Sequence, residues 1–338
     1  MSEDHAVTLD EIEAARDVIA GSVHRTPLLS SSTAARVVEA ATGARIGDGR
    51  VYLKAEHLQK TGSFKPRGMV NKLASLSDQE RQTGIITFSA GNAAQGYAYA
   101  GAALGVPVTV VMPAHAVPSK VAACRGYGAR VVLEGELMGD VVATTERIAA
   151  EEGLTFCHPF DDRAVIAGHG TVGLELIDDL PEVDVVIVGV GGGGLISGVS
   201  AAVKERRPSA RVYGVEPVTS DAMTRGLAAG EPVTVKPTSV ADGLNAPFTG
   251  QVSLAMTRRY VDEVVLIDDA TILAGLRFGL ERLKQSLEPA GAAALAALLT
   301  GRIPVRVGER VGVVLSGGNV DLARLVEFLG LAAPIADA

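Results

Sequence analysis

Short runs of β-branched residues alternate with longer Ala- and Leu-rich segments along almost the whole chain. Read as strands, these runs are apolar on both faces, so neither face can point to water. Such strands, separated by helices, predict an α/β fold with two open, twisted, mostly parallel sheets flanked by helices. The predicted strands are Val51–Lys54, Ile85–Phe88, Val108–Met112, Arg130–Leu133, Val183–Val190, Arg211–Val215, Val264–Ile267 and Val311–Leu315. The predicted helices include Ala93–Leu104, Asp140–Glu152 and Ile272–Gln285.

The alternation is interrupted at residues 155–162, where Cys157-His158-Pro159-Phe160 fits neither pattern. We therefore expect two α/β lobes with a cleft between them. Open parallel sheets bind ligands at the carboxyl ends of their strands, so functional motifs should lie there.

Composition limits the classes of partner. The net charge of −8 argues against nucleic acid or an anionic membrane surface, because both require clustered Lys and Arg. No apolar run is long enough to span a bilayer without interruption. Thr8 and Glu11 form a capping-box pattern, which predicts a helix ending near Gly21 and not a signal peptide. A cytoplasmic protein is expected.

The strand Val183–Val190 leads into four glycines and then a helix that starts at Leu195. Free backbone N–H groups and the positive end of a helix dipole make this arrangement an anion site. A simple strand–helix turn needs only one or two glycines, so the run favours phosphate binding. The glycines are Gly191, Gly192, Gly193 and Gly194.

The type of phosphate ligand stays open at this point. Gly189, Gly191 and Gly194 satisfy the G-x-G-x-x-G pattern, and Glu216 closes the next strand where a ribose-binding acid would lie. A dinucleotide-binding protein is therefore the alternative from a different functional class.

Lys65 lies between Phe64 and Pro66 at the start of a helical segment. A helix N-terminus disfavours a cation, so we expect a lowered pKa for this amine, as a Schiff-base lysine requires. The alternative is an ordinary surface lysine whose stem packs on Phe64. Arg67 is expected to organise the same loop.

The stretch Ser63–Gly68 resembles the cofactor-lysine motif of the threonine dehydratase and serine racemase family, the fold type II pyridoxal-phosphate enzymes. Four further segments are similar to that family's motifs and follow in the same order. They are the asparagine loop Ser89–Gly96, the phosphate loop Gly191–Leu195, the cofactor-bordering segment Leu287–Gly291 and the serine loop Ser316–Asn319.

The resemblance implies that Lys65 carries pyridoxal 5′-phosphate and, once released by the substrate, acts as the base, with Phe64 stacked on it. It implies a 5′-phosphate held by Gly191, Gly192, Gly193 and Gly194 with Leu195. Asn92 would donate to the ring hydroxyl and Ser316 would meet the pyridine nitrogen. The substrate carboxylate would lie against Ser89, Ala90, Gly91, Asn92 and Ala93, although Asn92 can equally be read as a helix N-cap.

The implied reaction is β-elimination of water and ammonia from a small β-hydroxy amino acid. L-threonine would give 2-oxobutanoate and L-serine would give pyruvate. No motif residue stands out as a carboxylic acid, so the cofactor phosphate is expected to protonate the leaving group. Dehydration of hydroxyaspartate or of bulkier β-hydroxy amino acids, and serine racemisation, are the alternatives within the family. Ala90 replaces the racemases' serine, and Ala93 replaces the family's usual histidine.

The resemblance also implies a domain division, with residues 1–74 and 156–338 in a large cofactor-binding domain and residues 75–155 in a small domain over the cleft. A homodimer or higher homo-oligomer is expected by analogy. A divalent or monovalent cation is left open. Glu216 matches one ligand of the family's divalent site, but Ala222 stands where the second ligand would be, with Asp221 one residue short.

Overall fold

The computed structural model describes residues 6–335, and the chain folds into two sheets with helices on both faces. The strands are β1 Leu28–Ser31, β2 Val51–Lys54, β3 Ile85–Phe88, β4 Val108–Met112, β5 Arg130–Leu133, β6 Thr155–Phe156, β7 Val185–Gly189, β8 Arg211–Pro217, β9 Glu263–Ile267 and β10 Val311–Val314. The helices are α1 Leu9–Ile19, α2 Ser32–Thr42, α3 Lys65–Ala74, α4 Asp78–Thr83, α5 Asn92–Leu104, α6 Pro118–Gly126, α7 Met138–Glu152, α8 Arg163–Asp179, α9 Gly194–Arg206, α10 Ala222–Ala229, α11 Gln251–Tyr260, α12 Asp269–Leu283, α13 Pro289–Leu299 and α14 Leu322–Leu331.

The larger sheet has the strand order β1-β2-β10-β7-β8-β9, and all its pairs are parallel except β1 with β2. Its central strand shows why the sequence reads as apolar on both faces. Val185 and Ile187 pack towards α2, α12, α13 and α14, whereas Val186 and Val188 pack towards α8, α9, α10 and α11. Every side chain of α13 is buried, so this helix forms the centre of the first layer.

The smaller sheet has the order β5-β4-β3-β6 and is parallel throughout. On one face Ile85 and Val110 pack against α3, α5 and α6. On the other face Ile86 and Val111 pack against α7. Helix α3 therefore contributes to the core of the smaller sheet. Its first residue, Lys65, lines the cleft between the two sheets.

The predicted α/β fold is confirmed, and four of the eight predicted strands have the observed bounds. Two strands were missed. Strand β1 has no β-branched run to announce it, and β6 is only two residues long. Helix α12 ends before Gln285 because Lys284 adopts a left-handed conformation with φ of 59°. Phe156 belongs to β6 of the smaller sheet, just beyond the expected domain boundary.

At the N-terminus, the predicted capping box is present, with Thr8 and Glu11 starting α1. The rest of that prediction falls partly on residues 1–5, which lie outside the described residues. Within residues 6–335, none of the helices combines the length and apolar character needed to cross a bilayer.

Candidate active site

Lys65 is the first residue of α3, and its amine is held inside the cleft. Nζ donates a hydrogen bond to the carbonyl oxygen of Pro159 at 2.9 Å and lies 5.1 Å from the centre of the Phe64 ring. Burial lowers the pKa of Lys65 to about 8. The sequence predicted a lowered pKa, but from the helix dipole; desolvation is the cause here. Near neutral pH, part of this lysine is a neutral amine.

Two residues beyond Lys65, Arg67 fixes the first turn of α3 through a fully buried ion network. Its guanidinium donates to both carboxylate oxygens of Glu56 at 2.8 Å and to Glu175 at 2.7 and 2.9 Å. Lys54 donates to the same Glu175 at 2.6 Å. Burial alone would lower the pKa of Arg67, but the charge of Glu56 and the hydrogen bonds to Glu175 raise it above its usual value. The expectation that Arg67 organises the loop thus has a structural basis.

The glycine loop Gly191–Gly194 connects β7 to α9 and lines the cleft. Because its residues are glycines, their backbone faces the cleft without side chains. Gly193 is the N-cap of α9 with φ of 96°, and the helix has no side-chain cap. The first amides of an α-helix have no partner within the helix, so those of α9 are available to an anion. Phe160, which also lines the cavity, packs closely against this loop. A Cβ on Gly192 would lie 2.5 Å from the Phe160 ring, and one on Gly194 would lie 2.6 Å from the Phe160 carbonyl oxygen.

We expect Gly194→Ala to weaken cofactor binding and to destabilise the fold by about 1–3 kcal/mol, because its Cβ would press on rigid backbone. Gly139→Ala is the matched control, since nothing lies within 4 Å of a Cβ at that helical position. It should leave cofactor binding unchanged and stabilise the protein by up to about 1 kcal/mol. Equilibrium dialysis with pyridoxal phosphate and thermal unfolding test the pair. Equal cofactor affinity in the two variants would contradict the role of the loop.

The asparagine loop follows β3 and starts α5. Gly91 is the N-cap and Asn92 is the first helical residue, so reading Asn92 as the N-cap was wrong. The amide of Ser89 donates to the carbonyl oxygen of Val111, and that of Gly91 donates to Ser89 Oγ. These two amides are already engaged. The amides of Ala90 and of the first turn of α5 are the ones that remain for a substrate carboxylate.

Ser316 follows β10 and touches the lysine loop. Its carbonyl oxygen accepts the amide of Phe64 at 3.1 Å, and its hydroxyl lies 3.5 Å from the carbonyl oxygen of Ala290. The next residue, Gly317, forms a β-bridge with Ser63. The serine loop and the lysine loop are thus one connected surface.

A single cavity of about 260 Å³ collects the predicted site residues. It is lined by all of them except Glu216, namely Phe64, Lys65, Ser89, Ala90, Gly91, Asn92, Ala93, Gly191, Gly192, Gly193, Gly194, Leu195 and Ser316. The cavity therefore brings together three features from three loops. They are the desolvated amine of Lys65, the uncapped N-terminus of α9 and the hydroxyl of Ser316.

Comparison with known proteins gives the same result. Residues 19–317 match the family described as pyridoxal-phosphate dependent enzyme. The chain belongs to this family. It is 44% identical over 318 residues to an L-threonine ammonia-lyase of Thermotoga maritima. The matched region covers 94% of this chain and 76% of the relative. It is 40% identical to the catabolic L-threonine dehydratase TdcB of Escherichia coli K12, with 97% of each chain covered. The structure of maize serine racemase superposes with a TM-score of 0.88 at 36% identity, over 95% of this chain and 96% of that one.

The residues in the cavity fit the cofactor of this pyridoxal-phosphate-dependent family. The cofactor needs a reactive amine, an anion site for its phosphate and flat apolar contacts for its ring. Lys65 supplies the first, the uncapped start of α9 the second, and Phe64 is available for the third. Gly192 and Gly194, whose Cβ atoms would collide with Phe160, leave no side chain on the loop backbone that would hold the phosphate.

Sequence reasoning missed an acidic residue of the site, Glu288. Glu288 lines the cavity, is 3% exposed, and accepts a hydrogen bond from Asn92 Nδ2 at 2.6 Å. Burial, with the charge of Asp242, raises the pKa of Glu288 to about 8. The expectation that no carboxylic acid stands out among the motifs was therefore wrong. The sequence did contain a signal for Glu288, because this residue lies in Leu287–Gly291, the segment that resembles a cofactor-bordering motif.

Glu216 lies outside the cavity. It is fully buried, and its carboxylate accepts the amides of Met223 and Thr224 and the Thr224 hydroxyl at 2.7–2.9 Å. These bonds cap the first turn of α10, while burial raises the pKa of Glu216 to about 7. A buried carboxylate whose oxygens already accept hydrogen bonds is not available to bind a ribose. Glu216 therefore cannot be the ribose-binding acid that a dinucleotide-binding protein would need. Within residues 6–335, no group of three His, Cys, Asp or Glu residues is arranged to hold a metal ion. A cation at Glu216 stays a prediction.

Proposed function

We propose that this protein is a pyridoxal-phosphate-dependent lyase that removes water and ammonia from L-threonine and, as a second substrate, L-serine. The observation that carries the proposal is the desolvated amine of Lys65 in a cavity shared with the uncapped start of α9. The high similarity to a threonine ammonia-lyase and a threonine dehydratase over nearly the whole chain supports the same reaction.

In this proposal Lys65 would hold the cofactor through its amine, and the amides from Gly191 to Leu195 would hold the phosphate. Asn92 would donate to the ring hydroxyl, Ser316 would meet the ring nitrogen and Phe64 would contact the ring. When bound, pyridoxal phosphate supplies an electron sink for the charge left by the departing α-proton. The protein's share of the chemistry is to orient the substrate and to move protons.

Lys65 moves the first proton. With the substrate bound, the free amine Nζ of Lys65 would take the proton from the substrate's α-carbon. A pKa near 8 keeps a useful fraction of the amine neutral at physiological pH, whereas an ordinary lysine would be almost wholly protonated. The carbonyl of Pro159 offers an acceptor that orients the amine in the cleft.

Ser316 is the residue that would meet the ring nitrogen of the cofactor. Because its hydroxyl is neutral, it would not stabilise a proton there as a carboxylate would, and the electron sink that the cofactor supplies would be moderate. A moderate sink would favour elimination, in which the β-hydroxyl leaves as water, over transamination. The released enamine tautomerises and hydrolyses in water to a 2-oxo acid and ammonia.

The walls of the cavity favour a substrate with a small apolar β-substituent. Phe88, Met138 and Phe160 line the cavity, and Ala93 leaves space beside them. Among the described residues that line it, the cations are Lys65 and Lys120, and Lys120 already pairs with Asp242 at 2.5 Å. A hydroxyaspartate side chain would lack a free cation, so we rank threonine above it.

The second candidate is racemisation, favoured by the similarity to maize serine racemase. Racemisation needs a proton donor on the face of the substrate opposite to Lys65. Ala90 has no hydroxyl at the position where the racemases carry serine. We therefore expect little D-amino acid to form.

Product analysis tests the proposed function. Purified holoenzyme is incubated separately with L-threonine, L-serine and a β-hydroxyaspartate, and 2-oxo acid, ammonia and the chirality of the remaining amino acid are measured. We expect equal amounts of 2-oxobutanoate and ammonia from L-threonine, with the remaining threonine still L. Faster turnover of hydroxyaspartate, or D-serine formed faster than pyruvate, would replace the proposal by the corresponding alternative.

The lowered pKa of Lys65 makes a separate prediction for apoenzyme. Only the neutral amine attacks the cofactor aldehyde, so the rate of reconstitution should rise about tenfold from pH 7 to 9 and level off above about pH 9. Absorbance at the yellow band of the bound cofactor follows this rate. A rate that rises almost tenfold from pH 8 to pH 9 and continues to rise steeply above pH 9 would mean that the amine has an ordinary lysine pKa.

We further propose that residues 75–155 form a small domain that closes over the cleft. Two hydrogen bonds join this segment to the rest of the chain, Lys120 to Asp242 at 2.5 Å and Ser119 to Asp321 at 3.1 Å. They support a segment that closes against the larger domain. The cytoplasmic location and the homodimer remain predictions from the sequence.

A further inference from the structure

Asn92 is held on both sides by residues that come from distant parts of the chain. Its Oδ1 accepts from Asn319 Nδ2 at 2.8 Å, and its Nδ2 donates to Glu288 Oε1 at 2.6 Å. Asn319 Nδ2 also donates to the carbonyl oxygen of Thr61 at 2.7 Å. The chain of hydrogen bonds therefore runs from the lysine loop through the serine loop and the asparagine loop to Glu288.

The direction of this chain is fixed at one end. The Thr61 oxygen can only accept, so the atom of Asn319 that faces it must be the amide nitrogen. The same nitrogen faces Asn92, so Asn92 must present its oxygen there and its nitrogen to Glu288. Asn319 then uses both N–H groups, whereas Asn92 uses one. The second N–H of Asn92 remains for the cavity that this residue lines.

The backbone leaves room for this cluster at glycines of two different loops. A Cβ on Gly317 would collide with Glu288 Oε1, and one on Gly62 would collide with the Asn319 side chain. Space at these positions is taken by the amide and carboxyl groups themselves, so the cluster is tightly enclosed.

Glu288 has no other use in the fold. It is the N-cap residue of α13, yet its side chain does not cap that helix. It is buried, and none of the salt bridges among the described residues includes it. A buried carboxyl group that forms no direct ion pair is costly, which argues that its bond to Asn92 serves the site rather than stability.

We propose that Glu288 and Asn319 are positioning residues that lock the side-chain amide of Asn92, so that its free N–H points at the ring hydroxyl of pyridoxal phosphate. This inference rests on the proposed function, in which Asn92 faces that hydroxyl. Neither residue needs to touch the reacting atoms. Their effect on the reaction passes through Asn92.

The absorption spectrum of the lysine-bound cofactor tests this inference without turnover. A donor at the ring hydroxyl favours the form with an ionised ring oxygen, which absorbs in the visible, over the neutral form, which absorbs in the near ultraviolet. At saturating cofactor, Asn92→Ala should lower the visible band relative to the near-ultraviolet band. Glu288→Ala and Asn319→Ala should shift the ratio in the same direction, and each should lower kcat for L-threonine about tenfold.

Two controls separate positioning from general damage. Glu288→Gln keeps an oxygen that accepts from Asn92, so its spectrum should match the wild type. Glu205→Ala removes a carboxylate that accepts from the Tyr260 hydroxyl at 2.7 Å far from the cleft, and should also leave the spectrum unchanged. In the double variant Asn92→Ala/Glu288→Ala, the second change should add nothing to the first.

The inference is overturned if Glu288→Ala and Asn319→Ala keep the wild-type band ratio while Asn92→Ala shifts it. It is also overturned if Glu288→Ala shifts the ratio equally with and without Asn92, since Glu288 would then act independently. Wild-type turnover of L-threonine decides the proposed function separately. A protein with the expected spectra and no threonine turnover would retain the positioning residues and lose the proposed substrate.

Discussion

Lys65→Ala should lower kcat/KM for L-threonine by at least about a thousandfold, because it removes both the group that holds the cofactor and the base at the α-carbon. The measurement is 2-oxobutanoate formation at saturating pyridoxal phosphate. Folding should not be impaired. The change removes a desolvated amine from the cleft, so the apoprotein should unfold at the same temperature as the wild type or a higher one.

Lys72→Ala provides the control on the same helix. Lys72 pairs with Asp162 at 2.7 Å and does not line the cavity. This variant should keep activity within a few-fold of the wild type, with a modest loss of stability. If Lys65→Ala retained full elimination activity, or if the two variants lost activity equally, Lys65 would not be the catalytic lysine.

Arg67→Met should destabilise the protein by about 3–5 kcal/mol, the largest stability effect we expect from a single substitution in the site. Arg67 is completely buried and donates to two carboxylates, Glu56 and Glu175. Without it, Lys54 is the one cation among residues 6–335 that still forms a direct salt bridge with either carboxylate. Urea unfolding of the apoprotein measures the change.

The pH dependence of this destabilisation distinguishes between two causes. They are the loss of a cation beside buried carboxylates and the loss of side-chain packing. Arg67 helps to lower the pKa of Glu175, so in the Arg67→Met variant this buried carboxyl group should bind a proton more readily in the folded state than in the wild type. The stability deficit of the variant should therefore shrink as the pH is lowered. Arg16→Ala breaks the exposed pair with Asp178 at 3.4 Å and should cost at most about 1 kcal/mol. A deficit for Arg67→Met that is as small as this, or independent of pH, would contradict the account of the network.

The sheets could be predicted from the sequence because a strand covered on both faces leaves a clear local signal. Val108–Met112 is buried at every position, and its predicted and observed bounds agree. The same reasoning misses β1, which lies at the edge of the larger sheet as the antiparallel partner of β2 and carries no β-branched residue. Edge strands depend on pairing with a distant segment, and this pairing leaves no periodic signal.

The site was predictable only in part, for a related reason. Motifs that follow strands identify Lys65 and the glycine loop, since each motif is continuous in sequence. The partners of Asn92 are not, because Glu288 lies 196 residues away and Asn319 lies 227 residues away. The cause of the lowered pKa of Lys65 was likewise misjudged, because burial depends on Pro159 and other distant residues closing around the amine.

The most direct test of the central claim is a visible absorption spectrum of the purified protein, recorded before and after adding L-threonine. We predict a yellow band of lysine-bound cofactor that shifts when L-threonine is added and recovers as the amino acid is consumed. A band that does not respond to L-threonine would contradict the proposed substrate. The absence of any band after reconstitution with pyridoxal phosphate would contradict the assignment of Lys65 as the cofactor lysine.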